Sequence, residues 1–225
     1  MIVKLFTAAV LNLICFLLIA QTPMSIQSVN DFELKADSNL REWKAATWIT
    51  LAKREGKKEY STKFKILYSK AGIYCLFFCE DRIITSTLTE DFTSLYNEDV
   101  VEAFFWTDES FPVYFEYELS PTNHELPIMV PNNKGKFFGW LPWHFEGNRK
   151  TKHQVVVDAN KNWLAAFFIP YELLTPLGNV PPKKGTTWRC NFYRIDYDDQ
   201  PTEWSWKPTQ KTFHEFEKFG VMVFN

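Results

Sequence analysis

Short apolar segments separated by turn residues dominate the chain after residue 60. Lys63–Tyr68 and Ile73–Cys79 flank the sequence SKAG, which predicts a β-hairpin. Pro170 opens one short helical turn, Tyr171–Leu174, and no segment has a long 3.6-residue period. Further strands are predicted at Val100–Trp106, Val113–Ser120, Gln154–Asp158, Trp163–Ile169, Trp188–Asp196 and Val221–Phe224. Short strands at nearly regular spacing favour an all-β fold, an antiparallel β-sandwich of the jelly-roll type.

Alternation along three of these strands assigns their side chains to two faces, because neighbouring strand residues point to opposite sides. The predicted core face holds Val101, Ala103, Phe105, Val113, Phe115, Tyr117, Leu119, Trp188, Cys190 and Phe192. The predicted outward face holds Glu102, Glu116, Glu118, Arg189, Asn191 and Tyr193, with several aromatic residues. A polar surface bordered by rings suits a polyhydroxylated ligand, which needs hydrogen bonds as well as stacking.

Glu102 stands in a strand that is otherwise rich in Val and Phe, and three explanations are open. It is a hydrogen-bonding group of a ligand cleft, an acid of an active site, or a partner in a structural ion pair with Arg189 or Arg194. Arg194 has the parity of the core face, so a buried Arg194 needs a carboxylate partner. Asp99, at the start of the same strand as Glu102, is expected to accept a structural hydrogen bond.

The first 22 residues have the layout of a secretory signal peptide. Lys4 precedes an apolar run from Leu5 to Ala20, and polar sequence follows. The run is short for an uncleaved membrane anchor, so we expect cleavage near residues 20–25. No second long apolar run follows, and we expect no membrane span after cleavage. Residues 30–225 are expected to form one domain that is secreted, periplasmic or displayed at the cell surface.

Composition narrows the classes of function. The 225 residues carry a formal net charge of -2, which argues against a nucleic-acid-binding protein because such proteins normally show a basic patch. Aromatic residues make up 17% of the chain, with nine Trp, nine Tyr and 21 Phe. Part of this aromatic content is needed for the core. Flat ring faces also stack on sugar rings, so the excess points to carbohydrate.

Three cysteines follow the predicted signal peptide. Cys75 and Cys79 lie four residues apart in one strand, roughly 13 Å from each other, which is too far for a disulfide between them. Either can pair with Cys190 and leave an odd thiol, or all three are small buried residues. No C-x-x-C pair and no His-x-x-x-His spacing indicates a zinc site.

Several segments, taken in order along the chain, form a set. They are YNEDVVEAFF (96–105), NWLAAFFIPYELL (162–174), WRCNFYRID (188–196), WSWKP (204–208) and FHEFEKFGVMVF (213–224). Together these segments resemble the family 9 carbohydrate-binding modules and their single-domain relatives in polysaccharide-degrading bacteria. The resemblance extends over about residues 32–225. It implies a β-sandwich whose cleft binds sugars, often with calcium as a structural ion.

The resemblance also implies roles for individual residues. Two Trp rings enclose the sugar in the family, and their positions fall on Tyr96 and Phe213. The chain therefore departs from the family at both rings, and a charge is reversed at the family's Arg position, which falls on Glu116. The family's carboxylate, Gln and Asn positions fall on Glu102, on Tyr193 and near Gln210.

Further ligand-binding candidates come from the aromatic loop FFGWLPWHF (137–145) and from the outward face. Trp140 or Trp143 is a candidate stacking platform, unless the loop is an arm that closes over the core. Asn191 is expected to supply a hydrogen bond, and His214 is expected at the rim of the cleft. The expected ligand is an oligosaccharide or polysaccharide, and glycoside hydrolases of the same pathway are the expected partners.

Two other functions stay open. A glycoside hydrolase would use Glu102 and Glu116 as its paired carboxylates. A haem b-binding domain of the same broad sandwich superfamily, acting outside the cytoplasm, would need an axial Met with a His or Lys. The available residues for that site are Met129 with His124, His144, His153 or His214.

Overall fold

A computed structural model describes residues 22–133, 136–175 and 177–225. The predicted signal peptide, residues 1–22, therefore lies almost wholly outside the described residues. Across the described ranges, no helix has the length and the apolar character that a membrane crossing requires.

The described chain consists almost entirely of β-strands, so the predicted all-β class is confirmed. The strands are β1 (Met24–Ser28), β2 (Ile49–Thr50), β3 (Ala52–Glu55), β4 (Thr62–Tyr68), β5 (Gly72–Cys79), β6 (Val100–Trp106), β7 (Val113–Leu119), β8 (Glu125–Asn133), β9 (Lys136–Phe137), β10 (Leu141–Pro142), β11 (Lys152–Val157), β12 (Trp163–Pro170), β13 (Thr187–Asp196), β14 (Thr202–Ser205) and β15 (Gly220–Phe224). The helical elements are α1 (Tyr171–Leu174) and the 3-10 turns Glu42–Ala45, Leu95–Asn97, Gly147–Arg149 and Phe216–Lys218. All eight strands predicted from the sequence are present, and their ends differ from the prediction by at most about two residues.

The strands form two layers that are joined through β1. Neighbouring strands follow the order β10-β8-β7-β6-β13-β15-β1-β4-β5-β12-β11, with β14 paired to β13 and β3. The N-terminal part of β1 runs parallel to β15, whereas Gln27 and Ser28 run parallel to β4. The strands on the β15 side of β1 make one layer, and those on the β4 side make the other. These two parallel pairings depart from the expected antiparallel pattern, which the other strand pairs follow within the described ranges.

The main core lies between the two layers. Phe64 of β4 and Phe192 of β13 stack across it, with ring centroids 4.0 Å apart. The predicted core-face residues of β6, β7 and β13 point into this core and are buried, apart from the half-buried Val113 at its edge. Cys75, Cys79 and Cys190 also lie there as buried free thiols. Of the two alternatives for the cysteines, the structure therefore has three small buried residues and not a disulfide to Cys190.

The opposite face of β6, β7, β8 and β13 is buried as well. A second apolar cluster, which includes Phe104, Tyr193, Phe216 and Phe219, covers it. Phe216 and Phe219 come from the segment between β14 and β15, which crosses this face of the sheet. The prediction that Asn191 and Tyr193 point outward to solvent is therefore wrong, since both are 0% exposed. Alternation shows which residues share a face, but another part of the chain decides whether solvent reaches that face.

Arg194 is buried and paired, as its parity predicted. Its Nη2 lies 3.0 Å from Asp81 Oδ2 and 2.5 Å from Asp196 Oδ2. Arg189 lies on the other face and contacts Glu109. Within the described ranges, neither arginine forms an ion pair with Glu102, so the structural ion pair considered for this residue is not formed.

Asp99 has the structural role that its position at the entry of β6 predicted. Its carboxylate accepts hydrogen bonds from the backbone N–H of Thr85 at 2.6 Å and of Tyr197 at 2.7 Å. Burial nevertheless raises the pKa of Asp99 to about 7. These bonds fix the turn that leads into the strand carrying Glu102.

Candidate functional site

A cleft of about 460 Å³ opens at the second face of the sheet. Its base consists of strand residues, Glu102 of β6, Glu116 of β7, Ile128 of β8 and Ile195 of β13. Residues 96–97 of a 3-10 turn, residue 137 at the end of β9, and loop residues 140 and 211–214 form its rim. The volume falls within the range of about 300–1,000 Å³ that small-ligand sites normally have.

A larger cavity lies elsewhere on the surface and differs in chemistry. It measures about 800 Å³ and lies between residues 28–31, residues 41–45 and Lys70. No aromatic side chain lines it among the described residues, and it contains none of the predicted site residues. The smaller cleft is therefore the better candidate site.

The cleft brings together five of the residues that the sequence predicted. They are Tyr96, Glu102, Glu116, Trp140 and Phe213. His214, which was expected at the rim, lines it as well. These residues come from β6, β7 and three separate loops, and the fold places them around one opening.

Four predicted residues are absent from the lining of the cleft. Trp143 donates its indole N–H to the carbonyl of Leu173 at 2.7 Å and packs against the main core. The Asn191 side chain is buried and donates to the hydroxyl of Tyr193 and to the carbonyl of Lys207. Tyr193 in turn donates to the carbonyl of Phe213 at 2.9 Å, below the surface of the cleft. Gln210 is exposed next to the site and meets Arg54 through its backbone carbonyl.

Phe213 is held in place by its neighbours, which limits the area it offers to a ligand. Its ring stacks on Tyr193, with centroids 4.0 Å apart and an interplanar angle of 10°. The guanidinium carbon of Arg54 lies 5.4 Å from the Phe213 centroid. One face of Phe213 is thus already covered, so at most the other face is available for stacking.

Two other rings of the cleft, Tyr96 and Phe137, are more accessible than Phe213. Tyr96 is 36% exposed, and its backbone carbonyl accepts a hydrogen bond from the Tyr197 hydroxyl. Phe137 is 47% exposed and stacks on His214, with centroids 4.3 Å apart. Trp140 is half-buried at the edge of the second apolar cluster. These rings give the cleft apolar surfaces around a polar base.

Two carboxyl groups form that polar base. Glu102 is 2% exposed and Glu116 is 3% exposed, so both border the cleft from buried positions. Burial raises the pKa of Glu116 to about 8. Burial, together with the nearby Glu116 and Glu203, raises the pKa of Glu102 well above its ordinary value. At neutral pH both groups therefore tend to hold a proton, and a carboxylic acid can donate as well as accept a hydrogen bond.

Some residues of the cleft were missed by the sequence analysis. Arg54 and Glu203 form an ion pair between β3 and β14 at one side of the opening. Tyr197 follows β13, and Lys211 and Thr212 belong to the crossing segment. Arg54 and Glu203 are 149 residues apart, and no local pattern indicates that they meet. Only the WSWKP and FHEF segments gave a signal that this end of the chain contributes to the site.

The calcium that the resemblance implies has no matching ligand cluster in the described ranges. There, no group of three or more His, Cys, Asp or Glu side chains is arranged to hold a metal ion. Hard cations such as calcium take most of their ligands from carboxylate and carbonyl oxygens. The residues present therefore do not fit a calcium site built around clustered carboxylates.

No family model matches this sequence, and none of the curated proteins matches it. The fold, in contrast, is that of family 9 carbohydrate-binding modules. A family 9 module from Caldicellulosiruptor kristjanssonii, solved with cellotriose, superimposes with a TM-score of 0.67 at 13% identity, covering 91% of this chain and 94% of the module. The structure of a module from the same organism with glucose gives a TM-score of 0.64 at 13% identity, covering 89% of this chain and 95% of the module.

A third solved structure has the same fold over nearly its whole length. It is a candidate carbohydrate-binding protein from Bacteroides uniformis, with a TM-score of 0.72 and 15% identity. The match covers 90% of this chain and 99% of that protein. The predicted likeness to the family 9 fold is therefore confirmed at the level of three-dimensional structure.

Proposed function

We propose that this chain is a non-catalytic carbohydrate-binding protein that binds an oligosaccharide or polysaccharide in the cleft. The observation that carries the proposal is the cleft itself, which combines accessible aromatic rings with polar groups at its base. Its occurrence on the fold of modules solved with cellotriose and glucose supports the choice of ligand class.

The cleft suits the two kinds of surface that a sugar presents. The apolar C–H faces of a pyranose pack against rings, for which Tyr96 and Trp140 at the rim are the candidates. The hydroxyl groups need donors and acceptors, which Glu102, Glu116 and Asn97 provide. Each hydroxyl gives up water on binding, so the net gain per hydrogen bond is about 0.5–1.5 kcal/mol, and moderate affinity follows.

The proposal also includes a location outside the cytoplasm and partner enzymes. The N-terminal sequence has the layout of a signal peptide, which supports a location outside the cytoplasm. Extracellular polysaccharides would be the natural ligands in that location. Glycoside hydrolases of the same pathway would then be the partners, because a binding protein raises the local concentration of their substrate.

Hydrolysis by Glu102 and Glu116 is the alternative that the same cleft raises. Such an enzyme needs one protonated carboxyl and one ionised carboxylate. Here burial raises the pKa of both groups, so neither is set apart as the ionised partner. This symmetry supports binding over hydrolysis.

The haem alternative needs an axial Met with a His or Lys, and Met129 with His214 is the pair whose histidine lines the cleft. Met129 points into the main core, next to Phe115 in the register of β7 and β8. His214 lies across the sheet on the cleft side, where it bonds Tyr114. The structure does not bring this pair together, and the proposal of carbohydrate binding is therefore preferred.

A glycan array followed by calorimetry of the purified protein tests the proposal. The panel should include neutral, acidic and amino sugars, and released reducing sugar should be measured in parallel. Tyr96→Ala and Trp140→Ala should each weaken binding about tenfold, because loss of a ring contact is worth about 1–2 kcal/mol. Phe111→Ala is the matched control, since Phe111 is 49% exposed and lies outside the cleft. Absence of binding to every glycan, or steady release of reducing sugar, would refute the proposal.

A further inference from the structure

Three glutamates lie side by side on the cleft side of the sheet, and two of them, Glu102 and Glu116, line the cleft. Glu102 of β6 and Glu118 of β7 are directly opposite each other in the strand register. Glu116 lies two residues from Glu118 on the same face of β7. The three side chains belong to residues that are 2%, 0% and 3% exposed, respectively. The cleft thus has a buried acidic base.

The glutamates have no cationic partner in the described part of the chain other than a weakly basic histidine. His214 Nδ1 lies 3.6 Å from Glu116 Oε2, but burial lowers the pKa of His214 to about 4, so the ring is neutral at pH 7. Over the same ranges, Glu116 Oε2 receives no hydrogen bond from a donor of the protein. Glu118 lies against the backbone N–H of Tyr96 and against Glu116, and a proton held between Glu116 and Glu118 links the two carboxyl groups.

The other charged and titratable groups around the cleft do not neutralise this base. Arg54 pairs with Glu203 and donates to the backbone carbonyls of Thr209 and Gln210. Lys211 is exposed at the rim. The tyrosines that face the glutamates are neutral because burial raises the pKa of each of them: Tyr114, Tyr193 and Tyr197.

A ligand that brings its own positive charge complements such a base. An ammonium group can donate three hydrogen bonds, and its positive charge compensates the negative charge of a buried carboxylate. Resting on the proposed function, we propose that the cleft selects carbohydrates with a free ammonium group, such as oligomers of glucosamine. The ammonium group is bound against Glu116 and Glu102, and the sugar ring lies against Tyr96 or Trp140.

Binding of an ammonium group should change the protonation state of Glu116. In the free protein Glu116 is largely protonated at pH 7, because burial raises its pKa to about 8. An ammonium ion stabilises the ionised carboxylate, so Glu116 loses its proton to the buffer while the ligand keeps its own. Binding of the amino sugar therefore releases a proton, whereas binding of an uncharged sugar does not.

Calorimetry with three matched trimers tests this inference. The probes are the glucosamine trimer, its fully N-acetylated counterpart and cellotriose, each measured at pH 6 in two buffers of different ionisation enthalpy. We expect the glucosamine trimer to bind at least tenfold more tightly than the other two, with release of up to about one proton and weaker binding at high salt. This comparison needs no variant and does not depend on whether a mutant folds.

Substitutions then locate the effect. Glu116→Gln should bring the affinity ratio between the glucosamine trimer and its N-acetylated counterpart towards one and abolish proton release. Glu146→Gln, at an exposed site outside the cleft, should leave both unchanged. Equal binding of the three trimers, or a preference that survives Glu116→Gln and Glu102→Gln, overturns the inference and leaves the proposed function intact. Absence of binding to all three, and to the wider glycan panel, overturns the proposed function itself.

Discussion

Glu102 and Glu118 face each other directly across the β6–β7 pair, and both are buried. Like charges in opposite positions of a sheet repel, and burial adds a desolvation cost to each charge. The pKa of each group is accordingly raised well above its ordinary value, by burial first and by neighbouring glutamates second. The folded protein therefore keeps this part of the sheet close to neutral by holding protons.

The free energy of unfolding should consequently fall as pH rises from about 4.5 to about 8. Folded Glu116 holds its proton up to about pH 8, whereas an unfolded Glu loses it near pH 4.3. The folded state binds more protons in this window, so each such group lowers stability by up to about 1.4 kcal/mol per pH unit. Asp99, whose pKa burial raises to about 7, adds to the same slope.

A variant isolates the contribution of Glu116. Urea denaturation at several pH values should give a smaller slope for Glu116→Gln than for the wild-type protein, because the amide does not titrate. Glu146→Gln is the control and should keep the wild-type slope, since Glu146 is exposed. Identical slopes in all three proteins would contradict a buried, protonated Glu116.

His214 should oppose this trend below about pH 6.5. Burial lowers the pKa of His214 to about 4, while an unfolded His binds its proton below about pH 6.5. Between these values the unfolded state binds more protons, so His214 costs stability as pH falls from about 6.5 to 4. His214→Gln should make the free energy of unfolding fall more steeply with rising pH between about pH 4 and 6.5 in urea denaturation. His144→Gln, which replaces a histidine outside the cleft, should not change the slope.

Local sequence patterns predicted the strands because period-2 alternation is a property of a few consecutive residues. They also placed Arg194 in the core and required a carboxylate for it, since an unpaired buried charge is costly. Asp196, two residues further along the same strand, lies within reach of such a pattern. The contribution of Asp81 was not predictable in this way, because Asp81 is 113 residues away. Chain-distant contacts of this kind leave no local pattern.

Part of the candidate site was predictable from local sequence patterns. The prediction was incomplete because other residues of the site come from distant parts of the chain. Tyr96, Glu102, Glu116 and Phe213 were found through alternation and family likeness, and they line one cleft. Tyr193 has the correct face but lies under Phe213, because the segment that crosses the sheet covers it. Whether a face is open to solvent depends on how the whole chain folds.

Removal of Arg194 should destabilise the protein severely. Arg194→Met would leave Asp81 and Asp196 buried together without their cation, and breaking a buried ion pair in this way costs about 3–5 kcal/mol. The measurement is the free energy of unfolding from urea titration at pH 7. Lys150→Met, which removes an exposed partner of Glu146, should cost about 0.5 kcal/mol or less. Equal effects of the two substitutions would be incompatible with the buried pair.

Substitutions at Trp140 and Trp143 should have different effects: one on glycan affinity, the other on the free energy of unfolding. Trp143→Phe removes the hydrogen bond to the Leu173 carbonyl and should cost about 1 kcal/mol or more of unfolding free energy, with unchanged glycan affinity. Trp140→Ala should weaken glycan binding, because Trp140 lines the cleft. Calorimetry and urea denaturation of both variants test this division. Loss of binding in Trp143→Phe at unchanged stability would move the site towards the aromatic loop.

The three buried thiols should be unreactive in the folded protein. Cys75, Cys79 and Cys190 are free and 0% exposed, and burial raises the pKa of Cys79 to about 12. Because the thiolate is the reactive form, Ellman's reagent should label these positions only after unfolding. Labelling should therefore follow the urea transition, with peptide mass mapping to identify each site. A disulfide between Cys190 and either partner would appear as two positions that stay unlabelled in denaturant without a reductant, and that result would contradict the free thiols.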